Sequence, residues 1–246
     1  VGAAKMIIQW RWDELVFGKI AFSFSVSNLF LTFVTAISVV LFPSMKRMDQ
    51  SELPDLYDKI RQIISPVLFV SLLFYFPVCK ILNLWLPKYN ASLPYLWILL
   101  PIIIFSTKVS LLTNNYLKAY RKEKQMLLIN LLSIALGIVL FAVFAFAASN
   151  LELVLYSVVF VVVVRSVVSE VYAMKLIGKL NKKSILDFAV EIVMTAIFIV
   201  AARLAGLLYG ALIYLGAAVV YLIIYRKSLV AIFKKIAAKF RRGNEN

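Results

Sequence analysis

Histidine is missing from this 246-residue chain, and cysteine occurs once, at Cys79. Without an imidazole there is no Ser-His-Asp triad, no Cys-His pair and no His-ligated zinc. A lone thiol makes neither an intramolecular disulfide nor a thiolate cluster. The eight glycines are scattered, so no phosphate-cradling loop and no dinucleotide fingerprint is present. Acids are scarce too, 12 Asp and Glu against 27 Lys and Arg, for a formal charge of +15. These shortages point away from an enzyme and give no catalytic residue, metal ligand or cofactor motif to follow. Cys79 closes an apolar run and reads as a small buried hydrophobe.

What is abundant is apolar mass. Hydrophobic residues make up 63% and charged residues 16%, with a mean hydropathy of +0.92. A soluble domain carries about 45–50% and about 25%, and a core of this size cannot hide the difference, so the excess must face lipid. Runs long enough to cross a bilayer fall at Val16–Pro43, Gln62–Leu86, Pro94–Leu117, Gln125–Ala147, Leu151–Leu176, Phe188–Ala205 and Tyr209–Tyr225. The fold class is therefore an all-α polytopic membrane protein of about seven transmembrane helices. Residues 1–15 read as the end of a preceding span and an external loop, 16–225 as the seven-helix lobe, and 226–246 as a basic amphipathic tail. Pro43 and Pro87 are expected to close the first two spans, and Pro66, Pro77 and Pro101 to bend the helices that contain them.

Charge sorts by side. The connections after spans one, three and five, together with the tail, hold nineteen of the 27 basic residues, and the opposite side holds six. The positive-inside rule makes the nineteen-charge side cytoplasmic, with the C-terminus there and a multi-pass protein of the cell membrane as the result. In the tail, Leu229, Ile232, Ile236 and Phe240 recur at helical spacing among lysines and arginines, as in an interfacial helix on anionic lipid rather than a nucleic-acid binder. Ser44–Arg61, with Leu56, Tyr57 and Ile60 among charges, reads as a shorter helix at the same surface.

Two cations, Lys108 and Arg165, escape to bilayer depth, each ten residues before a loop lysine and so about 15 Å deep. An ionisable group there costs about 2.5–3.5 kcal/mol on insertion scales and marks a functional candidate. The pair points to an anion-facing cavity, unless each is paired with an acid or carbonyl of a neighbouring helix. Pro101, Lys108, Asn115 and Lys122 recur every seven residues and are expected to share a stripe. Glu170 is about 140° from Arg165 around its helix, so it serves another helix or the cytoplasmic edge. Asp187 and Glu191 read as carboxylates at a helix start. Ser25, Asn28, Thr32 and Thr35 form a polar face on the first span that lines an aqueous cavity or bonds to other helices. Gly206 and Gly210 read as a hairpin turn. The cavity candidates are thus Lys108, Arg165, Asn115, Asn28, Thr32 and Glu170.

Three stretches carry a resemblance. FSFSVSNLFLTFVTAISVVLFP (Phe22–Pro43), LWLPKYNASLPYLWILLPI (Leu84–Ile102) and YLKAYRKEKQMLLINLLSIAL (Tyr116–Leu136) resemble, in this order, spans and loops of the C-terminal lobe of polysaccharide flippases in the multidrug/oligosaccharidyl-lipid/polysaccharide exporter superfamily. A glycine common before the basic residues of the last loop is replaced by Tyr120-Arg121-Lys122. The resemblance implies one lobe of a two-lobe, alternating-access exporter, the C-terminal half of a longer chain that works with an N-terminal lobe. It further implies a polyprenyl-pyrophosphate-linked oligosaccharide as substrate, flipped for polysaccharide biosynthesis, and anionic lipids at the basic tail. A multidrug or cation antiporter of the same superfamily is the alternative, followed by a non-transporting membrane scaffold.

Overall fold

Lipid offers backbone groups no hydrogen bonds, so each apolar run must satisfy its own and fold as a helix. The computed structural model describes the backbone of residues 2–85, 87–204 and 206–243, and side chains to residue 226 apart from a few positions. Every element among the described residues is helical. In chain order they are α1 (Gly2–Arg11), α2 (Glu14–Lys46), α3 (Leu53–Ser71), α4 (Tyr75–Trp85), α5 (Leu93–Leu99), α6 (Pro101–Thr107), α7 (Asn114–Ala119), α8 (Glu123–Ala142), α9 (Leu151–Leu176), α10 (Lys182–Leu204) and α11 (Gly206–Gly243). Seven helical stretches are long and apolar enough to span a bilayer: Glu14–Lys46, Leu53–Trp85, Asn90–Ala119, Glu123–Ala147, Leu151–Leu176, Lys182–Leu204 and Gly206–Arg226. The chain is a multi-pass helical membrane protein.

The third span is the axis. Of its most apolar window 89% is buried, against 13% for α2 and 22% for the fourth and seventh spans. α2 packs along α5 to α7 on one flank, α9 lies on another, α8 packs outside α9, and α11 joins α10 to α3. The short α1 docks on the far end of α8, where Arg11 donates to the Ala145 carbonyl (3.2 Å) and the Ser149 hydroxyl (2.8 Å). Asp13 then caps α2 by accepting from the Val16 amide at 2.7 Å.

Span boundaries differ from those read on the sequence in four places. α2 runs through Pro43 to Lys46; a proline in the last turn costs one hydrogen bond, which a helix of 33 residues tolerates. The second span begins at Leu53 rather than Gln62, so of the expected surface helix of Ser44–Arg61 the part from Leu53 on is instead the start of that span, and Ser44–Lys46 ends α2. Tyr57, assigned to that surface, is fully buried edge-on against Tyr116 (4.8 Å between ring centroids). The sixth span begins at Lys182, six residues before Phe188. Finally α11 is continuous to Gly243; the amphipathic face assigned to the tail lies outside the described side chains.

The prolines act unequally. Pro66 is accommodated within α3, whereas Pro77 lies four residues after Leu73 and the span tightens into a 3-10 turn at Leu72–Phe74 before it. Tyr214 of α11 donates to the Phe69 carbonyl beside that turn (2.9 Å). Pro101 separates α5 from α6 at Leu100. Gly206 takes a left-handed φ of 66° in the turn between α10 and α11. Gly210 serves packing rather than the turn, since a Cβ there would stand 2.6 Å from the Ala201 carbonyl oxygen.

Candidate functional site

A π turn at Lys108–Thr113 interrupts the third span. Its extra residue per turn breaks the seven-residue stripe expected on the sequence. Lys108 is thereby aimed at α9 and α10, while Asn115 is aimed at α2. Two polar clusters result on opposite flanks of the same helix.

The first is sealed. Lys108 is 1% exposed, and its ammonium lies 2.6 Å from Glu170 Oε2 of α9 and 2.5 Å from Glu191 Oε2 of α10. Arg61 of α3 reaches the other Glu170 oxygen through Nε (2.5 Å) and Asp187 through Nη1 (2.8 Å). Ser65, one turn beyond Arg61, donates to Glu191 (3.0 Å), and Tyr225 of α11 donates to Asp187 (2.6 Å). The Phe188 ring lies under both cations, 5.2 Å from the Arg61 guanidinium carbon and 5.7 Å from Lys108 Nζ. Three carboxylates and two cations thus tie four helices together, and Tyr225 adds α11 at the partly exposed Asp187 rim. Arg61 Nη2 and the Tyr57 hydroxyl are buried there with no hydrogen-bond partner among the described residues.

The charge of Lys108, read on the sequence as open to a cavity, is therefore met by acids of two neighbouring helices. Glu170 indeed serves other helices rather than Arg165. Arg61 was counted among the loop cations, and Asp187 and Glu191 as helix-start carboxylates; all three belong to this network. The sixth span starts a full turn before Asp187, so neither acid caps it. The usable signal was the i, i+4 spacing of Tyr57, Arg61 and Ser65, and of Asp187 and Glu191, which puts each set on one helix face.

The second cluster is open. Ser25, Asn28, Thr32 and Thr35 are all exposed on α2, and the three hydroxyls donate to the carbonyls of Ala21, Asn28 and Leu31 on their own helix. Among the described residues they bind no other helix. The Asn28 side chain, near the middle of the 33-residue α2, makes no hydrogen bond among the described residues. Toward the C-terminal end of α2 this face meets a cleft of about 440 Å³ lined by Thr35, Ser38, Asn114, Asn115 and Lys118. Ser38 donates to the Ser110 carbonyl in the π turn (2.9 Å), and the Asn115 amide donates to the Ser38 hydroxyl (3.0 Å) and the Leu111 carbonyl (2.9 Å).

Arg165 belongs to neither cluster. It is half-buried in α9, one turn beyond the Val161 that packs toward Gly137 of α8, and its buried Nε has no hydrogen-bond partner. No acid lies within ion-pair distance of it among the described residues. At the surface, Lys179 in the connection between α9 and α10 bonds to Asp55 (3.0 Å) and reaches Asp58 (3.2 Å) at the start of α3. Those hydrogen bonds hold its pKa above the usual lysine range.

Fold and site together define a class: a seven-helix membrane protein with an ionic core and one outward polar face. No family model, curated protein or solved structure matches the chain.

Proposed function

We propose that this chain is one lobe of a membrane transporter, its α2 face lining the path. The observation that carries the reading is Asn28, an exposed amide near the middle of a membrane-spanning helix with no hydrogen-bond partner among the described residues. In hydrocarbon an unmade hydrogen bond costs several kcal/mol. Water or a polar substrate must supply what lipid cannot, so the face belongs to an aqueous cavity. The substrate is a lipid-linked oligosaccharide, flipped by alternating access against a second, N-terminal lobe, as the sequence resemblance implies. Arg165 is then the mid-span cation left to meet an anionic headgroup, since Lys108 is already paired. The protein lies in the cytoplasmic membrane with the connections after the odd spans, and its C-terminus, in the cytoplasm.

The test is thiol accessibility in intact cells. In a Cys79→Ala background, Asn28→Cys and Thr32→Cys are expected to react with a membrane-impermeant maleimide, and Leu132→Cys, exposed on α8, is not. Silence at both α2 positions overturns the cavity. Export restored by the complete gene in a flippase-deficient strain tests the substrate separately.

A cation antiporter is favoured by one observation, three carboxylates set against two cations in the network, with Asp187 at its partly exposed rim. In the same strain it would show as cation-coupled efflux without polymer export.

A further inference from the structure

Phe42 of α2 carries two lysines. Lys46 Nζ lies 5.6 Å and Lys118 Nζ 5.8 Å from its ring centroid, both cations exposed. Neither has an acid within ion-pair distance among the described residues. Each sits in the last turn of its helix, where the helix dipole accounts for a positive charge. The dipole does not account for what lies beneath them. The cleft of about 440 Å³ is lined by Lys118 and, along α2, by residues from Pro43 back to Thr35, about 12 Å, a volume in the range of ligand sites. Lys46 is not in its lining and stands beyond Pro43, at its mouth. One wall presents Ser38 and the Asn114 amide, the latter half-buried and without a partner among the described residues. The other presents Val39, Phe42 and Pro43.

We propose that this cleft binds the phosphate headgroup of an anionic membrane lipid, its phosphate between Lys46 and Lys118 and its chain along Val39 and Phe42. Lysine binds phosphate as a point charge, and the Asn114 amide supplies a directed donor, the Ser38 and Thr35 hydroxyls being already spent on the Ser110 and Leu31 carbonyls. The apolar wall distinguishes a lipid from a free anion, and spans one and three both end at this side, at headgroup level. The site lies outside the ionic network, at the C-terminal end of the α2 face that the transport reading uses; the lipid titration reads binding alone, so its failure leaves the thiol-accessibility test of that reading untouched.

The experiment is native mass spectrometry of the purified full chain in detergent, titrated with phosphatidic acid, phosphatidylcholine or inorganic phosphate. Phosphatidic acid is expected to bind at least tenfold tighter than phosphatidylcholine, and inorganic phosphate at equal concentration is expected not to displace it. Replacing both Lys46→Gln and Lys118→Gln should weaken phosphatidic acid about tenfold or more. Replacing both Lys124→Gln and Lys175→Gln, exposed cations in the first turn of α8 and the last turn of α9, should leave it unchanged. Both pairs are exposed, so helix content by circular dichroism should match the parent. Asn114→Leu, which keeps both charges, should weaken binding as well. Unchanged affinity in the Lys46/Lys118 variant, or an equal loss in the Lys124/Lys175 variant, overturns the site. Displacement by inorganic phosphate overturns the lipid and leaves an anion site only.

Discussion

The two flanks of the third span face the same problem, polar groups at bilayer depth, and resolve it differently. On one flank Lys108, Arg61, Glu170 and Glu191 pair with one another in the buried interior, with Asp187 at the partly exposed rim. On the other, the α2 hydroxyls fold back on their own helix and Asn28 is left exposed with no hydrogen-bond partner among the described residues. The closed network fixes how α3, α9, α10 and α11 sit around the axis. An unsatisfied open face has to be completed by something outside the described residues. Charge at bilayer depth is thus a weaker guide to function than charge or polarity with no partner.

That contrast is broken most directly at Lys108. Lys108→Met should cost about 3–5 kcal/mol, because two buried carboxylates lose their cation, seen as a large fall in the thermal midpoint in detergent. Removing Glu191 as well, in Lys108→Met with Glu191→Met, should recover part of the loss, since the two groups are coupled. Additive losses would mean that the network is not the cooperative unit its distances imply.

Gly210→Ala comes next, at about 1–3 kcal/mol. Its Cβ would press on the Ala201 carbonyl and move α11 off α10. Because α11 carries Tyr225 to Asp187, the substitution tests whether helix packing holds the edge of the network. Tyr225→Phe removes that hydrogen bond alone and should cost about 1 kcal/mol, the half-buried carboxylate keeping Arg61. If Tyr225→Phe cost as much as Lys108→Met, the rim of the cluster would carry as much as its centre.

Much of this arrangement was legible before any coordinates. Seven spans, the depth of Lys108 and Arg165, and the polar face of α2 follow from apolar length and helical period. The partners of Lys108 do not. Glu170 and Glu191 lie 62 and 83 residues away along the chain, and only tertiary packing brings them within reach of it. The π turn was equally hidden, since Lys-Val-Ser-Leu-Leu-Thr contains no breaker, and without it Lys108 and Asn115 would share a stripe. Arg61 was misplaced for a different reason: Leu53–Ile60 mixes charges with Leu56, Tyr57 and Ile60 and so looks like an interfacial helix. Whether a mixed segment lies on the surface or enters the bundle depends on what covers its apolar face, here Tyr116 and α9.

The smallest effect on stability is expected where the effect on function is largest. Asn28→Leu adds an apolar side chain to an exposed position, where no contact of this chain is lost. Its stability in detergent, read from the thermal midpoint, should stay within about 0.5 kcal/mol of the parent. If α2 lines an aqueous path, the same substitution removes a polar wall at mid-depth and transport by the complete protein should fall. If the face instead lies against lipid, Leu is the better residue in hydrocarbon. Stability in the membrane would then rise with transport unchanged, so the joint readout of Asn28→Leu decides which solvent the open flank meets.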